Sequence, residues 1–156
     1  MVLNRIVEQI ESVCNSHQKV NEFIYGDDEV IHGQDQREYI LAWLSFGDQS
    51  FTLSNQDNNM IKLNFTLWIL DKINNEQPNG SGYDSTNVKT IFDETLTIGF
   101  NIINELRNIA NKTNYQVQGV SATPIHETGL ALLAGMRFDL EIDLPLTEFC
   151  VMPFND

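Results

Sequence analysis

Strict alternation of apolar and polar side chains over residues 136–146 is the feature that most limits what this chain can fold into. The apolar positions are Met136, Phe138, Leu140, Ile142, Leu144 and Leu146, and the positions between them include Arg137, Asp139, Glu141 and Asp143. A period of two is typical of a β-strand with one face in a core and the other toward water. The pattern therefore predicts a sheet whose apolar face is covered by other elements.

A second alternation, over residues 60–71, predicts another strand of this kind. Ile61, Leu63, Phe65, Leu67 and Ile69 share one face, and Lys62, Asn64 and Thr66 share the other. Trp68 and Leu70 also fall on the otherwise polar face. Two large apolar groups at that position indicate that this end of the strand is covered by a second element or by a second subunit.

The remaining strand predictions are shorter. Residues 38–46 are nearly continuously apolar, which favours a strand covered on both faces, although periodicity alone leaves a buried helix open. A turn at residues 47–48 is predicted to separate it from a short strand at 51–54. Further strands are predicted around residues 23–25 and 115–122, and residues 123–133 fit either a loop or a short helical turn.

Two segments have the three-and-four spacing of amphipathic helices. The first covers residues 3–17 and the second covers about residues 86–111. The stripe of the first helix consists of Leu3, Ile6, Val7, Ile10, Val13, Cys14 and His17. Leu96, Phe100 and Ile103 widen the stripe of the second helix beyond what a helix with one open face needs. That helix is therefore either sandwiched or in contact with another protein.

The length of 156 residues favours a single domain. Residues 74–85 concentrate Asn, Pro, Gly and Ser and are predicted to form a mobile loop. Residues 149–156 are predicted to form either a C-terminal arm or a last strand of the sheet. The expected architecture is one α+β domain over residues 1–156, with two amphipathic helices packed on a mostly antiparallel β-sheet in the order helix, strands, helix, strands.

The charge and the apolar runs exclude several classes of protein. The formal net charge is −13, from 22 acidic and 9 basic side chains. Because phosphate binding needs clustered Lys and Arg, this charge argues against nucleic acid as a direct ligand. The longest apolar runs, such as residues 39–44, are far shorter than the roughly 20 residues that span a bilayer, so no membrane segment and no signal peptide are expected.

No group of side chains forms a specific catalytic, cofactor-binding or metal-binding pattern. His17 lies on a helix stripe, where a structural role is favoured, and His126 lacks the second histidine of a helical zinc motif. Residues 80–82 have too few glycines and no lysine for a phosphate-binding loop. Cys14 is expected to be buried and inert, and Cys150 has no nearby positive charge to ionise it. The sequence predicts no enzyme, no cofactor and no metal site.

The acidic row Asp139, Glu141 and Asp143 is the most charged feature of any predicted strand. Alternate strand residues place carboxylates about 7 Å apart, which is long for shared coordination of one cation. Arg137 on the same face would also oppose a bound metal. The row is therefore either a solvated polar face or a surface with an electrostatic function.

The carboxyl end carries a family resemblance. The stretches GMRFDLEI at 135–142 and FCVMP at 149–153 resemble the closing strand and tail of small neck and tail-completion proteins of tailed bacteriophages. The first helix, the stretch HQKVNEFIYGD at 17–27 and the aromatic strands that follow are also similar to that family. The likeness extends to ring proteins of phages that infect Bacteroides and its relatives, including the crAss-like group.

The resemblance implies a structural virion protein that is made in the cytoplasm of the bacterial host. It would be one subunit of a connector, tail terminator or other ring, with six or twelve copies around the DNA channel. Its partners would be further copies of itself, other neck or tail proteins, and DNA that passes without specific binding. In such a ring Asp139, Glu141 and Asp143 are candidates to face the channel, where negative charge keeps DNA from adhering.

Rings are heterologous assemblies and need apolar surface beyond one core. The candidates for that subunit interface are Trp68, Leu70, Leu96, Phe100, Phe149, Val151, Met152 and Phe154. The alternative function is that of a small acidic binding protein, such as an immunity protein or a DNA mimic, which blocks a basic partner by charge complementarity.

Overall fold

Two helices and five strands make up the described part of the chain. The structure, a computed structural model, describes residues 2–26, 38–53, 60–73, 85–128 and 132–145. The elements are α1 (Val2–Ser16), β1 (Glu22–Gly26), β2 (Leu41–Leu53), β3 (Met60–Lys72), α2 (Ser85–Ala110), β4 (Gln116–Thr128) and β5 (Leu132–Pro145). The predicted α+β class and the order of its elements are confirmed.

The strands form one sheet in the order β1-β2-β3-β5-β4. β1 runs parallel to β2, and the other three pairs are antiparallel. The β2–β3 and β4–β5 pairs meet where β3 pairs with β5, which places Thr66 opposite Asp139 and Leu67 opposite Phe138. The two alternating sequences are therefore neighbours, and their apolar faces coincide.

Both helices lie on the same face of the sheet. α2 contacts β3, β4 and β5, while α1 contacts α2 and β1. The apolar stripes of the helices and the inward positions of the strands form the main core, whose fully buried members include Ile10, Leu44, Phe65, Leu67, Ile98, Ile102 and Phe138. Each buried aliphatic or aromatic side chain contributes about 1.5–3 kcal/mol relative to exposure, so this layer is the main source of stability.

A smaller apolar cluster, the tryptophan cluster, occupies the opposite face, at the end of β3 where Trp68 and Leu70 were expected to need cover. Its buried members are Ile24, Leu41, Trp43, Leu70 and Leu133, and Tyr39 and Trp68 pack against them. The rings of Trp43 and Trp68 stack with centroids 5.2 Å apart, and the indole Nε1–H of Trp43 donates to the Gly26 carbonyl at 2.9 Å. Residues of four strands, β1, β2, β3 and β5, therefore bury Leu70 within the chain.

Two predicted boundaries were wrong. β2 continues through residues 47–48 instead of turning there, with a shift in register between Ser45 and Ser50. Such an irregularity lets one strand take up extra residues while its partner, β3, stays regular. Residues 123–128 are strand rather than loop or helical turn, because β4 pairs with β5 up to Thr128. Pro124 is tolerated there since β4 is an edge strand.

Two predicted segments fall largely on residues that the structure does not describe. The predicted loop at 74–85 lies outside the described residues except for Ser85, which begins α2. The arm at 149–156 lies outside them entirely. Within the described residues, no helix has the length and apolar character needed to cross a membrane.

Candidate functional site

The polar face is the part of the sheet surface that lies opposite the helices and beside the tryptophan cluster. It carries the acidic row of β5 together with side chains of β3 and β4. We define it by Lys62, Asn64, Thr66, Ser121, Arg137, Asp139, Glu141 and Asp143. The alternation of β3 and β5 determines which of these side chains share the face, and the pairing of the strands determines which of them meet.

Asp139 is the centre of a hydrogen-bond network that spans three strands. Its Oδ1 accepts from Arg137 Nε at 2.9 Å and from Thr66 Oγ1 at 3.0 Å. Its Oδ2 accepts from Ser121 Oγ at 3.4 Å. Arg137 Nη2 also lies 2.9 Å from the Asp139 carboxylate. The carboxylate is therefore fixed in place and largely compensated by its own chain.

Glu141 pairs with a lysine of the neighbouring strand. Lys62 Nζ lies 2.7 Å from Glu141 Oε1, and this hydrogen bond raises the pKa of Lys62. Both side chains are partly exposed, so the pair adds little to stability. Its main effect is on charge, since the second carboxylate of the row is also matched by a cation.

Asp143 is the carboxylate of the row that differs from the other two. Within the part of the chain that the structure describes, its Oδ1 atom is buried and has no hydrogen-bond partner. Burial raises the pKa of Asp143; Lys62 opposes the shift, and the charge of Glu141 adds to it. The three carboxylates therefore face two cations, and the row is less negative than its sequence indicates. Among the described residues, no three potential metal ligands lie close enough together to hold an ion.

Arg137 joins the polar face to the tryptophan cluster. Its guanidinium carbon lies 5.5 Å from the centroid of the Trp68 ring, a cation–π distance. The Trp68 Nε1–H is buried and finds no hydrogen-bond partner in the described segments. Trp, Arg and a set of fixed polar groups are typical of protein–protein contact surfaces. The contact between Arg137 and Trp68 depends on the pairing and register of β3 and β5, which the sequence pattern does not give. The contact was therefore not predicted.

The subunit-interface candidates have different positions. Phe100 is 45% exposed, Trp68 is half-buried, and Leu96 is half-buried against the main core. Leu70 is only 5% exposed, so it is internal packing rather than surface. The remaining four candidates, Phe149, Val151, Met152 and Phe154, lie outside the described residues.

The other described residues that were considered for catalysis or metal binding are Cys14, His17 and His126. Cys14 is buried, and burial raises the pKa of its thiol to about 12, so the thiol is unreactive at neutral pH. His17 follows the end of α1, and its Nδ1 accepts the Lys19 backbone N–H at 3.3 Å. His126 lies exposed on β4. The positions of Cys150 and of residues 80–82 fall outside the described parts of the chain.

The comparisons with known proteins add no relative. No protein-family model matches the sequence, and no curated protein is significantly similar to it.

Replacement of Asp143 by asparagine is expected to stabilise the protein near neutral pH. A raised pKa means that the folded state holds the proton more tightly than the unfolded chain, so ionised Asp143 costs stability. That cost disappears as the pH falls below the ordinary carboxyl pKa of 3.8. Urea unfolding of Asp143→Asn should show a higher free energy of unfolding than the parent at pH 7 and equality in acid.

The exposed carboxylate of Asp93 on α2 provides the matched control. Asp93→Asn should change the free energy of unfolding less than Asp143→Asn at pH 7. A difference between Asp143→Asn and the parent that stays constant from pH 7 into acid would contradict the assignment, because it would not depend on ionisation.

Proposed function

We propose that this chain is a structural virion protein of a tailed phage, one subunit of a ring in the neck or tail that surrounds the DNA channel. The resemblance of residues 135–142 and 149–153 to that family supports the proposal. The α+β fold is compatible with it. The structural observation that carries it is apolar surface on α2 that the core of the chain covers only in part.

That surface is the patch of Leu96 and Phe100. The two residues are four apart on α2, so their side chains lie next to each other on one side of the helix. Phe100 is 45% exposed, while its ring meets Phe138 edge-to-face with centroids 5.9 Å apart. The core thus holds the aromatic ring in a defined position at the surface. A preordered aromatic side chain binds a partner at low entropic cost.

The outer edge of β4 offers a second contact of the kind that rings use. Within the described residues, β4 is the last strand of the sheet and pairs only with β5. The backbone groups along such an edge can pair with a strand of another chain. A patch on a helix together with an edge on a strand provides two different surfaces, as heterologous contacts require.

The relation to DNA follows from the charge of the whole chain. The net charge of −13 repels phosphate and supports passage without adhesion. The acidic row contributes less than its three carboxylates suggest, because Arg137 and Lys62 engage Asp139 and Glu141. The same pairing weakens the alternative of a DNA mimic acting through this face, since two of its carboxylates already have internal partners.

Native mass spectrometry of the purified chain tests the proposal directly. We expect closed species of six or twelve copies, formed by the chain alone or with its neighbouring neck or tail protein. A chain that stays monomeric and joins no phage structural protein would exclude a ring subunit. Tight, salt-sensitive one-to-one binding to a basic enzyme would instead support the acidic binding protein.

Replacement of Phe100 by serine is expected to weaken assembly by about tenfold or more, as removal of a central aromatic side chain commonly does. The fold should be retained because the ring is 45% exposed. Sedimentation velocity across a concentration series measures the effect, and circular dichroism checks the fold. Asn104→Ser, an exposed change one turn further along α2, is the control and should assemble like the parent. If Phe100→Ser assembles as well as the parent, this patch is not part of the interface.

A further inference from the structure

A cavity lies between the first half of α1, the segment that follows α2 and the end of β5. Its volume is about 220 Å³, and it is lined by Arg5, Ile6, Gln9, Lys112, Thr113, Asn114, Tyr115 and Leu144. Arg5 and Gln9 are one turn apart on α1, so they present adjacent side chains to it. The space is several times the roughly 30 Å³ that one water molecule occupies, so it accommodates a small polar ligand.

The charge of this cavity is opposite to that of the protein. The chain has 22 acidic and 9 basic side chains, yet the charged groups that the described residues contribute to the lining are Arg5 and Lys112. Lys112 follows the last turn of α2 and is exposed. Two cations that line one cavity in a protein of net charge −13 favour an anion as its ligand.

Tyr115 provides a hydroxyl next to these cations. The residue is 6% exposed. Burial raises the pKa of its phenol, whereas the nearby charge of Arg5 and a hydrogen bond with Thr113 lower it. The phenol is thus a protonated group held close to a guanidinium, and it can donate a hydrogen bond to an anion.

Gln9 adds a hydrogen-bond acceptor to the cavity, whereas Arg5, Lys112 and Tyr115 are donors. Its Oε1 atom is buried and has no hydrogen-bond partner among the described residues, although the side chain belongs to the cavity lining. A buried acceptor without a donor is costly. Rotation of the Gln9 amide toward the cavity would let a ligand hydroxyl donate to this oxygen, so the site favours an anion that also carries an O–H group.

We propose that this cavity binds hydrogen phosphate, an oxyanion that keeps an O–H group at neutral pH. Ionised oxygens would accept from Lys112, Arg5 and Tyr115, and a P–OH hydroxyl would donate to Gln9 Oε1. The inference is independent of the ring proposal, because it uses neither the polar face nor the patch on α2.

Titration with inorganic phosphate at constant ionic strength tests the site, followed by isothermal calorimetry and by amide chemical shifts in ¹H–¹⁵N spectra. We expect saturable binding with shifts concentrated at residues 112–115 and in the first half of α1. Sulfate has a similar shape but no proton at neutral pH, so it should bind about tenfold more weakly. Methyl phosphate is the second arm. A phosphomonoester has a second pKa of about 6 and is mainly a dianion without an O–H group at neutral pH, so it should bind more weakly than hydrogen phosphate; equal binding would contradict donation to Gln9.

Two variants separate this site from general attraction of anions. Lys112→Gln should weaken phosphate binding by about tenfold through loss of a charge-assisted hydrogen bond. Gln9→Leu should remove the preference for phosphate over sulfate. Lys89→Gln removes an exposed cation elsewhere, on α2, and should leave the affinity unchanged. The proposal fails if the parent shows no saturable binding, if Lys112→Gln and Lys89→Gln have equal effects, or if sulfate binds as tightly as phosphate.

Discussion

Replacement of Gly135 by alanine is expected to lower the free energy of unfolding by about 4 kcal/mol or to prevent folding, an effect at the upper end for single substitutions. A Cβ atom at this position would lie 2.0 Å from the carbonyl oxygen of Ile69 and 2.9 Å from the Cα of Leu70. Both atoms belong to the backbone of β3, which cannot yield as a flexible side chain can. Chemical unfolding followed by circular dichroism measures the loss.

Gly135 has this effect because of its place in the sheet. It lies on β5 opposite Leu70 of β3 and Ile125 of β4. β5 joins the two antiparallel pairs, so displacement at this point disturbs the ladders on both sides. Gly119→Ala is the matched control, since its new Cβ would meet only Glu141 Cβ at 3.5 Å, an ordinary contact. We expect a change within about 0.5 kcal/mol for it; equal losses in the two variants would show that close approach is not the cause.

Replacement of Gly99 by alanine is expected to cost about 2–3 kcal/mol through overpacking of the core. Gly99 lies on α2 directly over the ring of Phe138, and a Cβ there would be 2.0 Å from its Cζ atom. Phe138 is fully buried, so its ring has little room to move. Alanine favours helix over glycine by about 1 kcal/mol, which makes any net loss a direct sign of the clash. Unfolding in urea provides the measurement.

A second-site change tests whether the clash is with Phe138 itself. Phe138→Leu alone should destabilise the protein, because it leaves a small cavity. In the double variant Gly99→Ala with Phe138→Leu, the added methyl group occupies part of the vacated space. The double variant should therefore be more stable than the sum of the two single losses predicts. If the two losses of stability simply add, the cost of Gly99→Ala does not come from contact with Phe138.

Gly99 also explains why the apolar patch on α2 lies where it does. Close approach at Gly99 brings α2 down onto β5, so Phe100 reaches the edge of the Phe138 ring while remaining 45% exposed. A bulkier residue at 99 would move the helix away from the sheet. Loss of assembly in Gly99→Ala would consequently report on helix position, whereas Phe100→Ser tests the surface side chain alone.

Several parts of the candidate site followed from residue patterns. The alternation over 136–146 placed Arg137, Asp139, Glu141 and Asp143 on one face, and the structure has them there from Arg137 to Asp143. It did not reveal the ion pair of Lys62 with Glu141 or the bond from Thr66 to Asp139. Those contacts depend on which residue of β3 lies opposite which residue of β5. A shift of the pairing by two residues keeps the same side chains on the same face, so the alternation does not determine the register.

The cavity at Gln9 could not have been predicted from local patterns. Arg5 and Gln9 fall on the polar side of the first amphipathic helix, where exposure is the normal expectation. The segment 112–115 closes over them because α2 ends beside α1, a contact between residues about a hundred positions apart in the sequence. Only the packing of the two helices on the sheet brings these groups to one site.

By itself, the sequence determined the class of the fold, both helices and the inward and outward faces of the long strands. Those properties depend on side-chain periodicity, which is local and is recorded directly in the order of residues. The tertiary structure decided the parallel pairing of β1, the continuous β2, the compensation of the acidic row and the burial of Leu70. Each of these depends on contacts between distant segments, whose free energies no short stretch of sequence contains.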